Sequence, residues 1–149
     1  MTKNVLSVMP DASAADVAHL ILKHRISALP VVDQDNHLLG VVSEGDLIRS
    51  TETNDEANRS RWLVLLAKPK AGSQRMSFDS ERLVGDVMSR DILMASERET
   101  LPRLIDLLST SRIKRLPITR DGKLVGIVSR VDVLKFLAKT FSRTEKLSF

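Results

Sequence analysis

The 149-residue chain contains no cysteine. That excludes disulfide bonds, thiolate metal sites and a cysteine nucleophile together, and it points to a reducing compartment. It has no tyrosine, one tryptophan and four phenylalanines, so its core must be built from Leu, Ile, Val and Ala. No apolar run approaches the ~20 residues of a membrane span. The stretch Val5–Met9 is too short for the apolar region of a signal peptide and runs straight into Pro10-Asp11. Charge of one sign is scarce as well. The net charge is +4, from 23 basic and 19 acidic residues spread along the chain, which fits a solvated surface rather than a nucleic-acid face. The three histidines have no metal-ligand spacing: His19 and His24 are five positions apart, off the i, i+4 face that two helical ligands need. There is no Gly-x-Gly-x-x-Gly, Walker loop or serine-nucleophile motif. The expectation is a soluble cytoplasmic protein that is not an enzyme and has no metal, membrane or nucleic-acid partner.

What is present is a repeat. Ile113–Leu137 reads as strand, tight turn, strand, helix. Asp121-Gly122 is a strong hairpin signal, because a type I′ turn needs positive φ at both central positions. Ser129 offers its hydroxyl to the first free N–H groups of a helix beginning near Arg130, and Asp132 falls in that helix's first turn, where a carboxylate is favoured. Ile26–Ser50 repeats the pattern. Leu29-Pro30 matches Leu116-Pro117 at an offset of 87 positions, while Gly40, Ser43 and Asp46 match Gly126, Ser129 and Asp132 at 86, so the first hairpin is one residue longer.

The lead-ins match too, M-T-K-N-V-L-S-V from Met1 against M-S-R-D-I-L-M-A from Met88. Leu83–Val87 has no counterpart at the start of the chain, which leaves open an upstream piece. A helix over Ser13–His24 is signalled by Ser13 with Asp16 three residues on and by the Val17, Leu20, Ile21 stripe. Its partner is Thr100–Ser111, capped by Thr100, with Pro102 tolerated in the first turn. Each repeat is therefore β-α-β-β-α, an α/β (α+β) arrangement whose open apolar face needs a second copy to cover it. The divisions are residues 1–50 for the first repeat, 51–82 for an insert, 83–140 for the second repeat and 141–149 for a polar tail. The insert reads as a short helix over Ser60–Ala67, with Trp62 as a packing anchor, and a mobile linker over Lys68–Ser80.

These residues resemble the cystathionine β-synthase (CBS) domain, twice over. The likeness is carried by I-S-A-L-P-V-V-D with G-V-V-S-E-G-D, by I-K-R-L-P-I with G-I-V-S-R-V-D, and by the lead-ins. The insert R-S-R-W-L-V-L-L is also similar to the segment between the repeats of bacterial CBS pairs that carry a BON domain behind them; no BON domain follows in this sequence. The resemblance implies two pseudo-twofold-related repeats packed sheet to sheet, often assembled as disc-like dimers. It also implies two clefts for an adenosine-containing ligand (AMP, ADP, ATP, NAD or S-adenosylmethionine, with AMP or ATP first) that regulates an unknown partner protein.

By the family's pattern each cleft borrows from both repeats. The Asp46 cleft would take Gly40, Val41 and Ser43, with Ile92, Leu93, Lys114 and Arg115 opposite. The Asp132 cleft would take Ile127, Ser129 and Arg130, with Asn4, Val5, Ser27 and Ala28 opposite. The chemistry is consistent. A carboxylate can accept both hydroxyls of a ribose, the helix N-terminus suits a phosphate, and Gly40 and Gly126 permit close backbone approach. The alternative is that the two Ser-x-x-Asp motifs are helix caps only and the chain is a structural dimerisation module with silent clefts. Glu44-Gly45 stands where the second motif has Arg130-Val131, so the working cleft is expected at Asp132. A homodimer is expected from apolar helix positions that one partner repeat cannot all cover, Val131, Leu134 and Leu137 among them.

Overall fold

The computed structural model describes residues 1–51, 81–111 and 113–145. The expected helix over Ser60–Ala67 and linker over Lys68–Ser80 lie outside the described residues. The chain divides into two compact units, and each draws on both repeats. Among the described residues, one unit takes 7–33, 39–51 and 81–90, and the other takes 1–6, 34–38, 91–111 and 113–145.

In the first unit the order is α1 (Ala14–His24), β1 (Ala28–Val32), β2 (Leu38–Ser43, all but its first residue in this unit), α2 (Glu44–Thr51) and a single turn, α3 (Val84–Val87). Helix α1 starts where its cap directs. Ser13 is extended, and its hydroxyl accepts from the Asp16 N–H at 3.1 Å. The helix stops at Arg25, whose left-handed backbone (φ 52°) turns its N–H back onto the Ile21 and Leu22 carbonyls. The strand expected at the lead-in is reduced to Val8, which pairs in parallel with Val31 through bonds of 3.0 and 2.9 Å to and from β1. The core is aliphatic, as the composition requires: Val17, Leu29, Val31, Val42 and Val84 are fully buried.

The second unit holds β3 (Ala95–Ser96), α4 (Leu101–Thr110), β4 (Arg115–Arg120), β5 (Lys123–Ser129) and α5 (Arg130–Glu145). Strand β3 pairs in parallel with β4, and β4 pairs antiparallel with β5. The β4–β5 hairpin closes on Asp121 (φ 51°) and Gly122 (φ 79°), both positive as the Asp-Gly signal demands. On the free side of β5 lies the start of the chain, where Thr2 and Ile127 exchange backbone bonds of 2.9 and 3.0 Å. Leu116 and Ile118 anchor the core, with Val128 and Val133 packed around them.

Three expectations need correcting here. Thr100 stands at the start of α4, but its side chain makes no capping bond. Helix α5 runs on to Glu145, so the polar tail is helical well past residue 140. Leu137 packs against the core, whereas Val131 and Leu134 remain exposed, joined on the same helix by Phe141. The fold is α+β, with two sheets among the described residues, and no helix among them is long and apolar enough to cross a membrane.

Candidate functional site: the two Ser-x-x-Asp helix starts

Both motifs fold into the same local structure. Strand β2 delivers Ser43 to the start of α2, and the Asp46 Oδ2 accepts from the Ser43 N–H and the Ser43 hydroxyl, each at 2.8 Å. The Ser43 Oγ in turn accepts from the Asp46 N–H at 3.2 Å. At the start of α5, the Asp132 Oδ2 accepts from the Ser129 N–H and hydroxyl at 2.9 Å each, and the Ser129 Oγ accepts from the Asp132 N–H at 3.1 Å. Each is a reciprocal cap in which the carboxylate three residues on takes the place of the usual Glu or Gln. The next N–H of each helix is also satisfied, Glu44 by the Ser27 carbonyl at 3.0 Å and Arg130 by the Lys114 carbonyl at 3.2 Å. The helix starts expected to face a ligand have thus committed part of their donor set to the chain itself.

Beyond the cap the two sites diverge. Asp46 is buried, 7% exposed. Its outer oxygen, Oδ1, accepts from the Ser89 hydroxyl at 3.3 Å. The Ser89 backbone is held against β2 by reciprocal bonds with Val41 of 3.0 and 2.9 Å. Asp132 is half-buried, with its side chain 27% exposed, and its Oδ1 lies 3.9 Å from the Met1 amino nitrogen. Hydrogen bonding from the Ser129 backbone N–H holds the Asp132 carboxyl below the usual Asp value. Burial opposes that shift, while the Ser129 hydroxyl, the Met1 amino group and Lys135 add to it.

The glycines act on the chain too. A Cβ on Gly40 would sit 2.6 Å from the Ser89 carbonyl oxygen, and one on Gly126 would sit 2.5 Å from the Met1 sulfur and 3.1 Å from the Thr2 carbonyl oxygen. In both places the close approach is made by a lead-in, Met88-Ser89 or Met1-Thr2.

The remaining predicted residues fall as follows. Asn4 and Val5 sit in the same unit as Ile127, Ser129 and Asp132 and line an open hollow of about 500 Å³ with Lys3, Leu6, Asn36 and Leu124. Ser27 and Ala28 belong to the Asp46 unit. Ile92, Leu93, Lys114 and Arg115 belong to the Asp132 unit, and the register sets Arg115 opposite Ser129. Arg130 is exposed, and one guanidinium nitrogen donates to the Leu108 carbonyl at 2.9 Å, so a phosphate would have to draw it away. Sequence reasoning missed Ser89. The signal was its alignment with Thr2 in the paired lead-ins.

The family model for the CBS domain matches residues 1–52 and 84–139. The chain belongs to the CBS-domain family. It is a tandem CBS pair, and CBS domains are regulatory modules rather than catalysts. Among curated proteins it is 32% identical to the uncharacterised protein MJ1426 of Methanocaldococcus jannaschii, over 91% of this chain and 87% of that one. Among solved structures it is similar to CBSX2 of Arabidopsis thaliana in complex with AMP, with 28% identity, TM-score 0.69, and 94% and 93% of the two chains covered. The fold also matches AcuB of Vibrio cholerae at TM-score 0.74 and 22% identity, covering 98% and 92%.

Proposed function

We propose that this CBS pair is a non-catalytic sensor of an adenosine nucleotide, bound at the Ser129–Asp132 helix start, which passes the signal to a partner protein. One observation carries the reading. The two motifs are alike in their caps, yet Asp132 keeps its side chain 27% exposed with its outer oxygen turned from the cap, whereas Asp46 is buried. That oxygen has two lone pairs, enough for the two neighbouring hydroxyls of a ribose. The relative in complex with AMP supports the ligand class. AMP and ATP stand first, followed by ADP, NAD and S-adenosylmethionine. We place the chain in the cytoplasm, as a homodimer joined through exposed apolar positions such as Val131, Leu134 and Phe141.

The second reading, a structural dimerisation module with silent clefts, is favoured by the capping geometry itself, since both serines and both inner carboxylate oxygens are satisfied within the chain. Isothermal titration with the five adenosine-containing ligands, beside light scattering at tens of micromolar, separates the two. A sensor binds at least one of them and is stabilised by it. A dimer that binds none is the structural module, and a monomer that binds one rejects the dimer alone.

A further inference from the structure

The geometry points to Ser89 as an internal stand-in for a ligand hydroxyl that closes the Asp46 motif. Asp46 and Asp132 present the same cap from the same backbone arrangement. The lead-ins that pass over them are also equivalent: Ser89 is bonded both ways to Val41, and Thr2 both ways to Ile127. They differ at the outer oxygen, which at Asp132 faces the Met1 amino group at 3.9 Å. The Ser89 hydroxyl donates to the Asp46 Oδ1 at 3.3 Å, the oxygen that a ribose hydroxyl would need. The Ser89 main chain leaves no room for a Cβ on Gly40, so the hydroxyl is held over the carboxylate by backbone pairing and not by its own weak bond alone.

A hydroxyl tethered in this way acts at high effective concentration and competes with a dissolved one. Ser89 is itself exposed, so its side chain can be changed without opening the core. The consequence is a specificity device: the outer oxygen of one Ser-x-x-Asp motif takes a tethered hydroxyl, while that of its twin stays part-exposed beside the Met1 amino group.

This inference rests on the nucleotide-sensing reading, and the test distinguishes the two. AMP is titrated calorimetrically into the wild type, Ser89→Ala and Ser89→Thr. Wild type and Ser89→Thr should each bind one AMP per chain. Ser89→Ala should gain a second binding step, or tighten a weak one about tenfold, near the low end for a hydrogen bond to a charged group. Loss of a purely structural contact would lower stability and add no binding. One AMP on every variant overturns the inference and leaves the sensor reading intact; no AMP on any variant overturns both. Amide resonances of Ser89 and Asp46 in the wild type give an independent measure should Ser89→Ala misfold. They should stay still as AMP saturates the Asp132 motif, and shifts of both that track this saturation would overturn the closure.

Discussion

Replacing each aspartate by alanine should separate a binding carboxylate from a structural one. Asp132→Ala removes an acceptor that takes two hydrogen bonds from Ser129 and leaves the Ser129 oxygen in place as a cap on the Asp132 amide. Losses of this kind cost about 1 kcal/mol. In a chain of this size that is about 3 °C in melting temperature. The effect on AMP should be larger, because the outer oxygen would lose charge-assisted bonds of roughly 1.5–3 kcal/mol, a weakening of about 10- to 150-fold.

Asp46→Ala should invert the pattern. It removes the same two cap bonds, strips the Ser89 hydroxyl of its acceptor, and leaves a void where a residue was 93% enclosed, since Asp46 is only 7% exposed. Its cost should be about 2 kcal/mol or more, with AMP affinity at the tight site changed by less than about threefold. Thermal melts and calorimetric titration of the two variants supply both axes. A tight site abolished by Asp46→Ala and untouched by Asp132→Ala would show that the wrong motif has been assigned. Affinity unchanged by either would return both aspartates to capping alone.

Further outcomes follow from the caps, the close approaches and the charge. Ser13→Ala should cost about 1 kcal/mol by urea unfolding, while Thr100→Ala should cost a few tenths, because only Ser13 makes a side-chain capping bond; equal losses would refute the distinction. Gly40→Ala should destabilise more than Gly126→Ala, by about 1–3 kcal/mol. Its Cβ meets a backbone carbonyl, whereas the nearest atom to the Gly126 Cβ belongs to the Met1 side chain, which can move. The Asp132 carboxyl is held below its ordinary value in the fold, so its contribution is complete above the unfolded value of about 3.9 and is lost as pH falls through the lower folded one. The stability gap between wild type and Asp132→Asn should therefore narrow below about pH 4, and a gap constant to pH 2 would contradict the assignment.

What could be read from the sequence was what is encoded locally. Asp121-Gly122 sets its own turn, because positive φ at two successive residues leaves the chain few other options. Ser13 caps because its partner amide is three residues away. The duplication was legible because the strand, turn and helix signals recur in one order. Thr100 shows the limit of that logic: the residue type and position are right for a cap, yet the hydroxyl makes no such bond. Helix α5 shows another, since Thr140, Ser142 and Arg143 read as a polar tail while the helix continues to Glu145. Two of them, Thr140 and Ser142, turn their hydroxyls back onto carbonyls one turn earlier, at 3.0 and 2.9 Å, so polar residues can continue a helix without an apolar stripe.

The asymmetry between the two motifs was the least legible feature, and the reason is physical. The residues within each motif predict identical structures, and the caps are identical to within about 0.1 Å. Any contrast between Glu44 and Arg130 bears on charge near the helix start, yet both backbone amides are satisfied by equivalent carbonyls, and the Arg130 guanidinium is turned to Leu108. The distinction lies instead in the lead-ins: the Met1 amino group 3.9 Å from Asp132 Oδ1, and Ser89, 43 positions from Asp46 in the chain and next to it in space. A serine in a lead-in has no local reason to be singled out. It gains a role only when β2 and the lead-in are paired, which places its hydroxyl on a carboxylate already half-spent on a cap. Duplication thus fixes the scaffold of both sites, while long-range contacts, the Ser89 hydroxyl at Asp46 and the Met1 amino group at Asp132, make the two carboxylates unlike.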